Sequence, residues 1–250
     1  MAILTTVVAV VLSILFSSWE GQSKLNEAIF NKRAILSSIT DFLDEDPKAM
    51  AEAEVLRIFD KDMKQIALNM EGEILSKEQI IEAGYKGGRA EDIDMKKEKK
   101  KDEAERIFPL YVYSSQKDGK VYIVSVRGNG LWDEIWGNIA LKSDFSTVVG
   151  ANFDHKGETP GLGAEIKDNP AFPAAFKGKT FMNADGEYIG VDVVKNGSKG
   201  SPHKIDGISG ATVTGVGVAE MLIRGVKYYQ PYFNTIKTSQ GKKMGMLNNK

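Results

Sequence analysis

Leu110-Tyr111-Val112-Tyr113 and Val121-Tyr122-Ile123-Val124-Ser125-Val126 are two β-rich runs on either side of Asp118-Gly119. β-Branched and aromatic residues suit a pleated surface, and Asp-Gly accepts the positive φ of a tight turn, so the stretch predicts an antiparallel hairpin. Working outward, residues 137–141, 147–153 and 188–194 are further strand candidates, with a short helix near 170–176. Val216, Ala219, Leu222, Ile223, Val226 and Tyr229 then fall on one face of a closing helix that Pro231 should stop. Strands followed by a packed helix predict an α+β fold with a half-buried, mainly antiparallel sheet packed by helices.

On the other side of the hairpin the texture is helical. Residues 24–46 carry Leu25, Ile29, Ile35, Leu36, Ile39, Phe42 and Leu43 at near-helical spacing until Asp46-Pro47 breaks them. Residues 49–70 repeat the pattern with Val55, Ile58, Phe59, Met63, Ile66 and Leu68, which predicts a second helix. Between 91 and 106, 13 of 16 residues are charged with signs interleaved, a composition that reads as a solvated helix face or a flexible excursion. The N-terminus is the opposite extreme, because residues 2–19 contain no charge at all. As a helix this run would span about 27 Å, close to the ~30 Å of a bilayer's hydrocarbon. Trp19 stands where an interfacial aromatic belongs and Glu20 ends the run. A single N-terminal transmembrane helix is therefore expected ahead of a soluble domain. A cleaved signal peptide fits less well, since nothing before the run is basic and no small-x-small site precedes Glu20. Charge counting leaves the orientation open, because Lys and Arg begin only at Lys24.

Composition narrows the chemistry. With 33 Lys+Arg against 34 Asp+Glu there is no field to gather nucleic acid, which is disfavoured as a partner. Zero cysteines removes disulfides, zinc clusters, iron–sulfur ligation and thiol nucleophiles, and two histidines offer little to a metal site or a catalytic triad. Hydroxyls, carboxylates, backbone amides and a bound organic cofactor are what is left.

Glycine-rich segments supply the candidate site. Asp206-Gly207-Ile208-Ser209-Gly210-Ala211-Thr212-Val213-Thr214 leads into the closing helix, with Thr212 or Thr214 as its N-cap. The free amides and dipole of such an N-terminus make an anion site, so a phosphate near Thr212 could be held without a basic side chain. The same loop could equally cap a helix and bind nothing.

Asp206-Gly-Ile-Ser-Gly-Ala-Thr212 resembles the motif at which a flavin transferase joins FMN to threonine through a phosphoester bond. Upstream, Gly128-Asn-Gly-Leu131-Trp132, Gly137-Asn-Ile-Ala140-Leu141 and Glu158-Thr159-Pro160-Gly161-Leu162-Gly163 resemble, in order, the C subunit of the sodium-translocating NADH:quinone oxidoreductases, over nearly the whole chain. The G subunit of Rnf electron-transport complexes shares the Glu-Thr-Pro-Gly-Leu-Gly and Ser-Gly-Ala-Thr elements, and the Gly-Leu-Trp segment followed by Gly-x-x-Ala-Leu favours the first family. The chain departs from that family in one respect: its apolar segment begins at residue 2 without a basic lead, so either the start is truncated or partner subunits set the orientation.

The resemblance implies a single-pass inner-membrane flavoprotein with its soluble domain on the periplasmic side, relaying electrons through covalent FMN on Thr212 within a complex that oxidises NADH with ubiquinone and exports Na+. The residue patterns divide the chain into an anchor at 1–20, a helical and charged part at 21–107, a strand-rich domain at 108–238 that the resemblance makes FMN-binding, and a polar tail at 239–250 expected to be disordered. As partners the resemblance implies the other subunits of the complex, a flavin transferase and the membrane. No glycine run reads as a Gly-x-Gly-x-x-Gly nicotinamide turn, so no complete activity is expected of the chain alone. Thr159, Pro160, Gly161, Leu162 and Gly163 would form the ring pocket, with backbone donors and the Thr159 hydroxyl on the flavin edge. Trp132 is a candidate to stack on the ring and otherwise belongs to the core. The resemblance leaves Asp206 and Ser209 to shape the attachment loop or serve transferase recognition, and puts Gly210, Ala211, Val213 and Thr214 around the expected tether. His155 and His203, three residues ahead of the two motifs, are loop residues beside the cofactor or ordinary exposed histidines. The readings held against this one are an Rnf-type subunit fed by ferredoxin and a non-redox extracytoplasmic domain that binds a phosphate ligand or serves as a scaffold.

Overall fold

The computed structural model describes residues 2–115 and 119–247. Its elements are α1 (Ala2–Ser37), α2 (Glu52–Arg57), β1 (Met63–Leu68), α3 (Lys77–Glu82), α4 (Met95–Glu98), β2 (Phe108–Ser115), β3 (Gly119–Asn129), β4 (Glu134–Leu141), β5 (Val148–His155), α5 (Glu165–Asp168), α6 (Ala171–Ala174), β6 (Asp192–Val194), β7 (Lys204–Asp206), α7 (Thr212–Lys227) and α8 (Gln230–Leu247).

The predicted hairpin is the centre of the sheet. β2 and β3 pair antiparallel from Leu110 with Val124 to Ser115 with Gly119. Gly119 takes φ 75°, as the turn requires, while Asp118 lies outside the described residues. β4 and β5 extend the meander to the order β1-β2-β3-β4-β5, antiparallel throughout. A separate ribbon pairs β6 with β7 in parallel, so the strand expected over 188–194 shortens to three residues.

The first strand corrects the sequence reading. Residues 49–70 form α2, a π-helical turn at Ile58–Asp62 and then β1, which pairs with β2 from Met63–Tyr113 to Leu68–Phe108. Met63 and Ile66 are three apart, as in a helix, but Ile66 and Leu68 are two apart and enter the same core cluster. Over six residues the two periods cannot be told apart by hydrophobicity alone.

The sheet is covered on both faces rather than half-buried. Leu110, Val124, Val126, Ile139 and Leu141 face Val218, Leu222 and Val226 of α7, while Tyr111, Val121, Ile123 and Ala140 face Ile35, Leu36 and Ile39 with Val55 of α2 and Ile58 of the π-helical turn. The amphipathic stretch after the apolar run thus docks onto the domain, with Leu36 fully buried. Among the described residues no single helix is long and apolar enough to cross a membrane; Ile3–Phe16 and Gly21–Ser37 pass together, bent by 43°. Leu4, Val8, Val11, Leu15 and Trp19 are exposed along the first half.

Three further readings change. The charged stretch is ordered: Glu98 is only 1% exposed, accepting from the Tyr85 hydroxyl, the Ile107 N–H at 2.9 Å and Lys101 Nζ at 2.7 Å. Pro231 does not end the helical run. α7 stops at Lys227 and α8 restarts with Pro231 in its first turn, where the missing N–H costs no helical hydrogen bond, and it continues to Leu247 through the tail expected to be disordered; residues 248–250 lie outside the described residues. Val216 is 47% exposed rather than on the buried face of α7, which instead presents Thr214, Gly215, Val218, Met221 and Leu222.

Candidate functional site

α7 begins at the site. β7 ends at Asp206, and the chain reaches Thr212 through a loop in which Gly210 takes φ 79°. A Cβ on Gly210 would stand 2.6 Å from Leu162 Cδ2, so the two glycine-rich loops approach each other where a side chain is missing. Neither threonine is the N-cap. Ala211 holds that position and offers no side-chain cap bond. The leading amides of the 16-residue α7 therefore keep the unpaired donors and partial positive charge that suit an anion. Thr212 is exposed there, at the edge of a cavity of about 200 Å³ lined by residues 193–196, 207–212 and Gly215.

The second loop is organised by Glu158, whose side chain is buried at 4% exposure. Its Oε2 accepts from the Thr214 hydroxyl at 2.6 Å, and its Oε1 accepts from the N–H groups of Trp132 at 2.9 Å and Asp133 at 3.4 Å. Burial alone would raise this carboxyl. The hydrogen bonds from Thr214 and from the Trp132, Asp133 and Leu131 amides outweigh it and hold the group below the ordinary carboxylate range. Beyond Glu158, Thr159 O accepts from the Leu162 and Ala164 N–H groups, both at 3.1 Å, and Gly161 takes φ 72°. Trp132 Nε1 donates to Thr159 Oγ1 at 3.1 Å. Trp132 is 69% exposed, so it belongs to the site's surface and not to the core. With exposed Leu131, Leu162, Val213 and Val216 it adds apolar surface around the start of α7.

The fold thus brings together Trp132, Thr159, Leu162, Gly163, Gly210, Ala211, Thr212 and Thr214. Pro160, Ser209 and Val213 are exposed beside them. Asp206 instead shapes the loop, its Oδ1 accepting from the Ser198 N–H at 3.0 Å. His155 buttresses the site, its Nδ1 accepting from the Glu158 N–H at 3.2 Å, whereas His203 bonds to Thr180. Lys195 and Asn196 line the cavity at Thr212 without any motif that pointed to them. The arrangement fits FMN: unpaired helix amides and a threonine hydroxyl for the phosphate, and an exposed indole and leucines for a planar apolar ring.

Comparison with known proteins agrees with the geometry. A family model for the FMN-binding domain matches residues 130–227. The C subunit of the Na(+)-translocating NADH-quinone reductase of Pseudomonas aeruginosa is 44% identical over 117 residues, 44% of each chain. Its counterpart in Neisseria meningitidis serogroup A is 35% identical over 127 residues, 49% of this chain and 48% of that one. The matched stretch therefore spans less than half the length of these curated relatives. Solved structures reach further. NqrC from Shewanella oneidensis superimposes with TM-score 0.63 at 25% identity, covering 87% of this chain and 99% of that one. The C subunit of the Parabacteroides distasonis reductase superimposes with TM-score 0.70 at 33% identity, covering 86% of this chain and 96% of that one. With identity at that level over almost the whole of a solved relative, and with the glycine loops gathered around the start of α7, the chain belongs to the family of C subunits of the Na(+)-translocating NADH-quinone reductases.

Proposed function

We propose that this chain is a membrane-anchored flavoprotein subunit that relays electrons through covalently bound FMN within a Na+-translocating NADH:quinone reductase. The observation that carries the reading is the uncapped start of α7 at exposed Thr212, facing a loop that holds Trp132 and Thr159 in one hydrogen-bonded unit. When bound, FMN supplies reversible uptake and release of electrons. The chain's own residues do the holding. Thr212 Oγ1 would hold the FMN phosphoryl group as a phosphoester, the hydroxyl hydrogen and one phosphate hydroxyl being lost overall as water. The leading amides of α7 would stabilise the single negative charge of the resulting phosphodiester, and Lys195 lines the same cavity. Trp132, Leu162 and Thr159 orient the ring end. The named relatives support membership of the NADH-quinone reductase complex, and with it partners among the other subunits and a flavin transferase for maturation. The apolar first half of α1 supports a membrane anchor, with the domain on the periplasmic side, where a tether keeps a scarce cofactor from being lost.

The test is intact mass after co-expression with a flavin transferase. The expected result is an addition of one FMN less water, with flavin fluorescence that stays on the chain through a denaturing gel. Thr212→Val should abolish both. Fluorescence that persists in the variant would overturn the Thr212 assignment, and an unmodified wild-type mass would favour the phosphate-binding or scaffold reading.

A further inference from the structure

Glu158 has three unusual properties together. It is buried, it is held in the charged form, and its acceptor oxygens serve two different elements of the site. Oε2 is spent on Thr214, in the first turn of α7 and two residues after Thr212. Oε1 is spent on the backbone that presents Trp132, while the next residue along the chain, Thr159, takes the Trp132 indole N–H. The surroundings leave no slack. A Cβ on Gly130 would lie 2.5 Å from Oε1, and one on Gly163 would run into Oε2 and come within 2.6 Å of the Thr214 hydroxyl. No cation pairs with the carboxylate among the described residues, so neutral donors from the site itself hold it.

We propose that Glu158 is the positioning residue of this site: its two carboxylate oxygens fix the distance between the start of α7 at Thr212 and the ring-facing pair Trp132 and Thr159. This rests on the flavin reading above. Two consequences follow from chemistry. Loosening either oxygen lets the phosphate end and the ring end move relative to each other, which changes the environment of the bound chromophore. A fixed negative charge in a buried site also opposes the arrival of electrons nearby, so neutralising it should move the reduction potential to more positive values.

The experiment uses the full chain matured with a flavin transferase and measures loading by intact mass, visible circular dichroism and the flavin midpoint potential. Glu158→Gln, which keeps the shape and removes the charge, should change the visible dichroism and raise the potential. Thr214→Val, which cuts the Oε2 bond alone, should change the dichroism or lower the loaded fraction at least several-fold, and Thr214→Ser, which restores the hydroxyl, should recover both. A folded Glu158→Gln chain that loads poorly also supports positioning, because transfer to Thr212 needs the start of α7 in place. If Glu158→Gln does not fold, the two Thr214 variants decide. Loaded variants with wild-type dichroism and potential, whatever their melting temperatures, would overturn the proposal and leave Glu158 a structural acid. Wild-type protein that carries no flavin would instead overturn the reading on which it rests.

Discussion

Among the described residues the domain buries two glutamates, and they are built differently. Glu98, in the charged stretch, has a lysine partner, a tyrosine hydroxyl and one backbone amide, drawn from residues 85–107 of its own neighbourhood. Glu158 pairs with no lysine or arginine among the described residues, and its partners come from one loop 25 and 26 residues upstream and a helix 56 residues downstream. The first closes an excursion onto itself. The second joins the segments that the family resemblance assigns to a cofactor. A cation compensates the charge of the first acid where it lies, whereas the second, held by neutral donors, keeps an uncompensated negative charge between the segments it joins.

Removing Glu98 should therefore have the larger effect on stability and the smaller effect on the site. In Glu98→Ala the Lys101 ammonium, the Tyr85 hydroxyl and the Ile107 N–H lose their acceptor. The expected cost is about 3 kcal/mol, at the low end for a broken buried pair because Lys101 keeps partial access to water. Urea titration reads it, and intact mass should show unchanged flavin per folded molecule. A drop in flavin loading as large as the drop in stability would erase the distinction between the two acids.

Gly163→Ala attacks the other side of the comparison. Its Cβ would push into the contact between Glu158 and Thr214, and overpacking of this kind costs about 1–3 kcal/mol. Here the flavin should register the change: visible circular dichroism of the loaded variant should differ from wild type even where the fold is intact. An unchanged spectrum would mean that the clamp can relax without moving the site.

The two regions were also unequally legible. The hairpin was readable because β-branched alternation and Asp-Gly are local signals, and the start of α7 because its glycines and threonine sit in one contiguous motif. The strand at 63–68 was not, since Met63, Ile66 and Leu68 satisfy both periods and only the partner β2 decides between them. Charge density at 91–106 pointed to solvent, because nothing local reveals that Tyr85 and Ile107 supply donors to Glu98. Glu158 stood inside a quoted motif, yet its role depends on Thr214 and Trp132, contacts that exist only after the chain has folded. Thr214 itself read as a helix cap, a reasonable use of a threonine there until Glu158 takes its hydroxyl.

The smallest expected effect sharpens the comparison most, because it reads the charge itself. In the folded chain the Glu158 carboxyl is held below its ordinary range, and in the unfolded chain it returns to about 4.3. Above that value both states are ionised and the clamp contributes fully. As pH falls toward the folded value the unfolded chain takes up a proton that the folded chain refuses, so stability declines through the window below about 4.3. Asp133 and Asp144, also held low by their hydrogen bonds, add to the decline with the same sign. They remain in Glu158→Gln, so the difference between the two proteins isolates Glu158. Urea titrations at descending pH should show the wild type losing more stability than Glu158→Gln below about 4.3, with the two curves parallel above it. Curves that stay parallel throughout would mean that Glu158 is not held in the charged form by Thr214 and the Trp132 amide, and the contrast with the lysine-paired Glu98 would fail with it.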